Sequence, residues 1–160
     1  MKKMTIALVF LLGTLPGAAL FAADRGTPAE ARAMLQKAVD HYKSVGRKQA
    51  LADFNKKKAP FGDRDLYVAC FGADHRITAN GGFPKLVGES ADLIRDADGK
   101  SVGQEGWDLA SKNGQATLRY SWMNPVTRKM EPKITFFTKV GDDVCGVGAY
   151  NPDGAIAKGH

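Results

Sequence analysis

The sequence predicts an α+β domain in which two helices are followed by a mostly antiparallel sheet of five strands. Between residues 28 and 57, apolar residues recur at the spacing of an amphipathic helix. From residue 66 onward, short apolar and aromatic runs alternate with turns that contain Gly, Asn and Asp. No internal repeat, linker or low-complexity tract separates the two regions. We therefore expect the helices and strands to form one domain.

The first residues have the pattern of a secretory signal peptide. Lys2 and Lys3 give a positive start, an almost wholly apolar run extends from Ile6 to Leu15, and small residues follow up to Ala22. The apolar run is about half of the roughly 20 residues that a membrane-spanning helix needs, which favours cleavage over a retained membrane anchor. We expect cleavage after Ala22, so that residues 1–22 are removed and the protein acts in a bacterial periplasm.

The composition is that of an ordinary globular domain. The chain has 160 residues, of which 44% are hydrophobic and 25% charged, and cleavage would leave enough chain for a hydrophobic core. The formal charge of +6 falls to +4 without Lys2 and Lys3. Most of the remaining cations are scattered, and no basic patch is interleaved with aromatic residues. We therefore expect no nucleic-acid partner.

Two helices are predicted before Pro60. Thr27 suits the N-cap of the first helix, Pro28 its first helical position and Glu30 its first turn. The apolar residues of this helix follow at three- and four-residue spacing: Ala31, Met34, Leu35, Ala38, Val39 and Tyr42. A second helix is predicted from about Arg47 to Lys57.

The remainder is predicted to contain five strands and further helical segments. The strands are Leu66–Phe71, Arg76–Ala79, Ala116–Met123, Lys133–Val140 and Val144–Tyr150. One helical turn is predicted at Ala91–Ile94 and a full helix at Val102–Lys112. Residues 124–132 are predicted to connect the third and fourth strands, and residues 152–160 to form a flexible polar tail.

No pattern in the sequence indicates an enzyme, a metal site or a cofactor site. The stretch Asp96–Lys100 lacks the spaced ligands and the terminal glutamate of a calcium-binding loop, so we interpret it as a turn. Gly146-Val147-Gly148 is only a fragment of a dinucleotide-binding motif. The three histidines are far apart, and the common hydrolase and protease motifs are absent. We expect no catalytic residue, no metal and no cofactor.

Aromatic residues and one lysine on the predicted strands are candidates for a ligand-binding site. Tyr120 and Trp122 alternate onto one face of the third strand, and Lys133 opens the fourth. Further aromatic residues come from the other strands: Tyr67, Phe71, Phe136, Phe137 and Tyr150. Aromatic rings with a convergent cation would suit a small organic anion. The alternative interpretation is that the rings belong to the hydrophobic core and that Lys133 is a surface residue.

The two cysteines of the chain, Cys70 and Cys145, allow two interpretations. An even number of cysteines in an oxidising compartment favours a disulfide. Two buried free thiols are the alternative, since cysteine packs well as a small apolar residue.

Several short segments follow the two helices in a characteristic order. They are Leu66-Tyr67-Val68, Leu86-Val87-Gly88, residues 93–100, residues 120–125, Lys133 and residues 147–150. In this order and spacing, from about Ala29 to Tyr150, the chain resembles the type 2 single Cache domains of bacterial extracytoplasmic sensors. The resemblance implies a PAS-like fold, in which a long helix packs along a five-stranded antiparallel sheet and a ligand cavity lies on the opposite face.

The resemblance also implies which residues contact a ligand. By position, Tyr120, Trp122 and Lys133 match the strands that line the pocket in this family, with Tyr67 and Phe71 on the first strand. Family members usually sense small molecules, often short-chain organic acids. We therefore expect these five residues to bind a small organic acid, with Lys133 pairing with its carboxylate.

Two further expectations follow from the family. If its usual strand order holds, the first and last strands are neighbours, and Cys70 and Cys145 are close enough to form a disulfide. The domain is expected to span residues 27–151, and the sequence stops ten residues after Tyr150. Family members usually have a membrane helix and an output domain after the sheet, so we expect a stand-alone periplasmic sensory domain.

Two other functions remain open at this point. The domain could be an interaction module that docks on a membrane receptor or kinase and modulates it, with no ligand of its own. It could also be a small enzyme on a similar α+β fold, which would need an acid–base residue inside the pocket.

Overall fold

The described part of the chain, residues 25–152, contains three α-helices and six strands in this computed structural model. The helices are α1 (Pro28–Val45), α2 (Arg47–Phe54) and α3 (Val102–Asn113). The strands are β1 (Gly62–Asp63), β2 (Leu66–Gly72), β3 (Ile77–Asn80), β4 (Gln115–Met123), β5 (Met130–Val140) and β6 (Asp143–Tyr150). Short 3-10 turns lie at Pro84–Leu86 and Ala91–Leu93. The predicted signal peptide, residues 1–22, and all but the first residue of the predicted tail lie outside the described residues.

The N-terminus of α1 is fixed by the capping residues that the sequence predicts. The Thr27 hydroxyl accepts a hydrogen bond from the Glu30 backbone N–H at 3.2 Å, and the Glu30 carboxylate accepts one from the Thr27 backbone N–H at 2.8 Å. Helix α2 ends at Phe54, three residues before the predicted Lys57. Asn55 there accepts a hydrogen bond from the Asn80 backbone N–H at 2.8 Å, which joins the end of α2 to β3.

The sheet is antiparallel throughout, with the strand order β3-β2-β6-β5-β4. The two-residue strand β1, which the sequence pattern does not predict, pairs with the start of β2. Strands β2 and β6 are neighbours, as the family resemblance implies. This pairing places Cys70 directly opposite Cys145, and the two residues form a disulfide with a Cα–Cα distance of 4.0 Å.

Strand β5 begins at Met130, three residues earlier than predicted, and contains Pro132. Proline cannot donate a ladder hydrogen bond, so it is usually found where a strand has a free side. Strand β6 ends at Tyr150, which is paired with Lys133, so at Pro132 only β4 lies alongside β5. The hydrogen bond between the Asn151 backbone N–H and the Pro132 carbonyl, at 2.7 Å, closes this end of the pairing.

The two faces of the sheet support different cores. Helices α1 and α2 cover one face, where they pack with Cys70, Cys145 and the apolar residues next to them. Helix α3 and the connecting segments around residues 91–94 cover the other face, where Phe71 and Phe137 are buried. None of the helices in residues 25–152 is both long and apolar enough to span a membrane.

Candidate ligand-binding site

A small cavity of about 30 Å³ lies on the face of the sheet that α1 and α2 do not cover. Its walls come from strands β2, β3, β4, β5 and β6 and from Ile94 in the connection between β3 and α3. Its lining residues are Tyr67, Ala69, Phe71, Asn80, Ile94, Tyr120, Trp122, Lys133, Thr135, Phe137, Gly146 and Gly148. The fold thus brings all five predicted ligand-binding residues to the same cavity, and their role in binding stays a prediction.

Lys133 is the buried cation of the cavity, with 4% of its surface exposed. Its ammonium group donates hydrogen bonds to the hydroxyl of Tyr67, at 2.9 Å, and to that of Tyr150, at 3.3 Å. The Nζ atom also lies 4.3 Å and 4.5 Å from the centres of the same two rings. No carboxylate within residues 25–152 forms an ion pair or hydrogen bond with Lys133. Its partners are therefore neutral.

Burial lowers the pKa of Lys133 to about 7, because removal from water penalises the charged form of the amine. The Asp65 carboxylate is close enough to raise this pKa in part. Asp65 is itself bound by the Gly26 backbone N–H at 2.7 Å and by the Asn124 side-chain amide at 3.1 Å. An anion beside Lys133 would restore the preference for the charged form.

Two glycines of β6 make room for the side chains on the cavity floor. A Cβ atom at Gly148 would lie 2.2 Å from Cε of Lys133 and 2.3 Å from Oγ1 of Thr135, and one at Gly146 would lie 2.6 Å from the Phe137 ring. These distances are far below van der Waals contact. The motif Gly146-Val147-Gly148 therefore allows Lys133 and Phe137 to lie across the sheet, which gives it a structural purpose that the sequence pattern did not indicate.

Next to Lys133 on the same face of the sheet, the cavity is lined by neutral polar and aromatic side chains. The hydroxyl of Tyr120 and Oγ1 of Thr135 are hydrogen-bonded at 2.8 Å. Burial raises the pKa of Tyr120 to about 12, so this hydroxyl is neutral at physiological pH. Phe71 lies further along the cavity, where its ring centre is 6.5 Å from that of Phe137. An anion in this cavity would meet Lys133 as its charged partner.

The residues matched by the family model "Single Cache domain 2" are 26–153, nearly all of the described domain. The chain belongs to this family. The resemblance identified from the sequence is therefore confirmed. No curated protein matches the chain.

Solved structures of sensor domains have the same fold as this Cache domain. A methyl-accepting chemotaxis protein from Vibrio parahaemolyticus RIMD 2210633 is similar with a TM-score of 0.65 and 21% identity, over 78% of this chain and 88% of that one. A periplasmic sensor domain of a chemotaxis protein has a TM-score of 0.64 and 23% identity, over 84% and 99% of the two chains. A Cache chemosensory domain described for carboxylic acid recognition has a TM-score of 0.58 and 19% identity, over 77% and 87%. These similarities confirm the predicted α+β, PAS-like fold class.

The segment after β3 packs against two of the residues that line the cavity of this Cache domain, Tyr67 and Trp122. The Phe83 backbone N–H donates a hydrogen bond to Oδ1 of Asn80 at 2.9 Å. The Phe83 ring stands edge-on to Tyr67 and Trp122, with ring centres 6.0 Å and 6.2 Å apart. Gly82 lies so close to Tyr67 that a Cβ atom would be 2.6 Å from its ring. This segment is in tight contact with the ligand-binding candidates.

Seven of the twelve lining residues lie outside the five predicted ligand-binding residues, as do Tyr150 and Phe83, which contact the site, and these residues differ in how they could be found. Thr135 lies two positions after Lys133 on β5, so strand alternation puts both on one face. Tyr150 lies two positions after Gly148 on β6 by the same rule. Phe83 carries no such signal, because it lies in a loop that meets Tyr67 and Trp122 only through the tertiary fold.

The volume of the cavity limits what it holds in this conformation. About 30 Å³ is enough for roughly two water molecules, at about 10–15 Å³ each. A larger ligand therefore requires side chains that line the cavity to move. A larger cavity of about 160 Å³ lies between α1 and strands β4 and β5, but its polar side chains, such as Arg32 and Gln36, are exposed to water. It therefore lacks the buried cation that distinguishes the smaller cavity.

No group of side chains within residues 25–152 has the geometry to hold a metal ion. The chemistry that the site offers is recognition: one cation, several neutral hydroxyl groups and apolar walls.

Proposed function

We propose that this Cache domain is a periplasmic sensory domain that binds a small organic acid and carries out no catalysis. The observation that carries the proposal is the buried ammonium group of Lys133, which faces a cavity and has only neutral hydrogen-bond partners. A carboxylate ligand would supply the missing negative charge.

The physical reason is the cost of a buried charge. Moving an ammonium ion out of water costs several kcal/mol unless an opposite charge and further hydrogen bonds replace the water. A carboxylate at Lys133 would form charge-assisted hydrogen bonds, which are about twice as strong as neutral ones. The hydroxyl of Tyr67, adjacent to Nζ, would donate to the same carboxylate, whereas the hydroxyl of Tyr150 already donates to the Met123 carbonyl at 2.7 Å.

The remaining predicted residues would hold the rest of the acid. Tyr120, the cross-strand neighbour of Lys133, and Trp122 line the cavity beside the lysine, and Phe71 extends the apolar surface. A short apolar chain would displace water from these rings, at about 25 cal/mol for each Å² of apolar surface buried. The similarity in fold to a Cache domain described for carboxylic acid recognition supports this ligand class.

Three observations support a periplasmic location. The segment from Lys2 to Ala22 has the pattern of an export signal. The disulfide between Cys70 and Cys145 is of a kind that persists in oxidising compartments. One of the structures with the same fold is described as a periplasmic sensor domain.

One observation favours a second candidate function, an interaction module that docks on a membrane receptor or kinase. The cavity holds only about two water molecules, as a vestigial site would. In that case the buried Lys133 would be a remnant of ligand binding, and the protein would act through its surface alone.

A thermal-shift experiment distinguishes the two candidates. The wild-type protein is screened against formate, acetate, propionate, lactate and pyruvate, with the corresponding alcohols as uncharged controls. An acid at 100 times its dissociation constant should stabilise the fold by about 2.7 kcal/mol, which raises Tm by several degrees. The alcohols should have no effect. If no acid raises Tm, the ligand-binding proposal fails and the interaction module is favoured.

Two lysine variants then test the site. Lys133→Met should abolish the shift, whereas Lys139→Met should retain it, because Lys139 lies on the same strand but over Trp107, outside the cavity. Equal shifts in the two variants would show that the acid binds elsewhere.

A further inference from the structure

The connection between β4 and β5 carries an unusual share of the exposed apolar surface. Of the seven large apolar residues that are exposed within residues 25–152, three belong to this hairpin: Met123, Val126 and Met130. Met123 and Met130 are directly paired across the two strands, so their side chains lie on the same face of the hairpin. Val126 is 58% exposed at the turn. We call residues 123–130 the hairpin tip.

The hairpin tip also carries two cations with no acidic partner. Arg128 and Lys129 are exposed, and neither side chain forms an ion pair or hydrogen bond with another of the described residues. By contrast Arg64, a partly buried arginine, has partners, since it binds both Glu30 and Asp63. The tip therefore has free positive charge next to exposed apolar side chains.

A buried asparagine fixes the conformation of the tip. Oδ1 of Asn124 accepts hydrogen bonds from the backbone N–H groups of Val126, at 2.8 Å, and Thr127, at 3.3 Å. Its amide group donates to Glu131 and Asp65, both at 3.1 Å. The exposed side chains are thus displayed on a rigid turn, which lowers the entropy cost of binding a surface.

Both ends of the domain lie beside the hairpin tip. The Glu131 carboxylate, next to Met130, forms an ion pair with Arg25, at the N-terminal end of the described chain. It also accepts a hydrogen bond from the Asn151 side chain at 3.1 Å, at the C-terminal end. The segment before Arg25 has the pattern of a signal peptide, which would target the chain to a membrane for export. The tip therefore lies at the end of the domain where this segment joins it.

We propose that the hairpin tip docks the domain on the anionic surface of a lipid bilayer. Val126 and the two methionines would enter the headgroup region, while Arg128 and Lys129 would contact lipid phosphates, the division of labour seen in peripheral membrane-binding segments. The exposed cations and apolar side chains share one small turn. This combination suits the headgroup region of a bilayer better than a groove on another protein. This role is independent of ligand binding.

The test is cosedimentation with vesicles of phosphatidylcholine alone and of phosphatidylcholine and phosphatidylglycerol in equal parts. The protein is secreted by a bacterial host, and its mass is measured so that only chains without residues 1–22 are used; these retain both cores and the disulfide. We expect binding to the anionic vesicles only, weakened by salt. The double variant Arg128→Gln/Lys129→Gln should lose roughly 30-fold in affinity, or about 2 kcal/mol at about 1 kcal/mol per cation.

A charge-matched control removes the general effect of net charge. Lys48→Gln/Lys112→Gln takes two exposed cations from α2 and α3, away from the tip, and should bind as the wild type does. Equal losses in the two double variants would overturn the proposal, as would wild-type protein that binds neither vesicle or both equally.

A labelled variant reports on the tip itself. An environment-sensitive dye on Val126→Cys should shift to the blue on anionic vesicles, while the same dye on Val87→Cys should not, although Val87 is also exposed, at 38%. Absence of a shift at position 126 would contradict insertion of the tip even if the protein sediments with vesicles.

Discussion

The two faces of the sheet each bury a charged side chain, and the two charges are treated in opposite ways. On the face covered by α1 and α2, the Asp143 carboxylate is 0% exposed and accepts hydrogen bonds from Tyr42 at 2.6 Å, Arg47 at 2.7 Å and Thr78 at 2.8 Å. On the cavity face, the Lys133 ammonium is almost as buried but has only two tyrosine hydroxyls as partners. One charge is fully compensated and the other is not.

This difference supports a structural role for Asp143 and the proposed binding role of Lys133. Asp143 joins α1, α2 and β3 to the start of β6, so its charge is compensated by groups that the fold itself provides. The uncompensated charge of Lys133 lowers the stability of the ligand-free protein, and a ligand with a negative charge would recover that free energy. Functional sites commonly keep such a conflict between local stability and binding. The following predictions test the comparison, beginning with the largest effect.

Removal of the compensated charge, Asp143, should reduce the free energy of unfolding the most. Asp143→Ala leaves the hydroxyls of Tyr42 and Thr78 and the guanidinium group of Arg47 without their acceptor. We therefore expect a loss of about 3–5 kcal/mol in the free energy of unfolding. Its neighbour Asp142 is exposed, so Asp142→Ala should change stability by no more than about 0.5 kcal/mol. Urea unfolding of both variants measures the difference. Similar values for the two would show that the Asp143 cluster is not structural.

Added volume on the cavity floor should be the next most harmful change. Gly148→Ala places a methyl group 2.2 Å from Lys133 Cε, so one of the two must move, at a cost of about 1–3 kcal/mol. Shortening the lysine should relieve part of this strain. The double variant Lys133→Ala/Gly148→Ala should therefore lose less than the sum of the two single variants, as measured by a double-mutant cycle in urea. Strict additivity would contradict the close packing of these side chains.

Removal of the uncompensated charge should have the opposite sign to removal of Asp143. In the absence of ligand at pH 7, Lys133→Met should raise the free energy of unfolding by about 1–2 kcal/mol, because an apolar side chain of similar length needs no compensation. Lys139→Met serves as the control; it removes a partly exposed lysine stacked on Trp107 and should not stabilise. A loss of stability in Lys133→Met would mean that the lysine is a structural residue.

The pH dependence of the free energy of unfolding should distinguish the wild type from Lys133→Met. The pKa of Lys133 is lowered to about 7 by burial, whereas an unfolded lysine has a pKa near 10.5. Between about pH 7 and pH 10 the unfolded chain binds more protons, so the stability of the wild type should gain up to about 1.4 kcal/mol per pH unit from this group. Lys133→Met should lack this gain. Parallel stability curves for wild type and variant over this range would contradict the lowered pKa.

Local sequence patterns predict most of the elements of this fold. Thr27 and Glu30 form the capping box that marks the start of α1, and α3 begins at the predicted Val102. Errors occur where a boundary depends on neighbouring strands. Pro132 indicates the end of a connection when the sequence is considered alone, yet it lies inside β5 because β6 has already ended at that level. The two-residue β1 is too short to have a pattern of its own.

Part of the site could be predicted as well, because alternation along a strand is also a local sequence pattern. Alternation along strands identifies Tyr120, Trp122 and Lys133, and the family resemblance adds the strand order that brings Tyr67 and Phe71 to them. Gly148 and Phe83 could not be found in this way. The function of Gly148 depends on the side chain of Lys133 on the next strand, and Phe83 contacts Trp122 from a loop. Both are properties of tertiary packing.

The most direct test of the central claim, that Lys133 is the cation for a carboxylate ligand, is calorimetry of the acid found in the screen. The titration is run at about pH 8 in two buffers with different ionisation enthalpies. Because the pKa of Lys133 is about 7 in the free protein, most molecules are neutral there and must take up a proton to pair with a carboxylate. We predict that binding to the wild type takes up a substantial fraction of a proton and that Lys133→Met does not bind. Binding to Lys133→Met with unchanged affinity and no proton uptake by the wild type would contradict the claim.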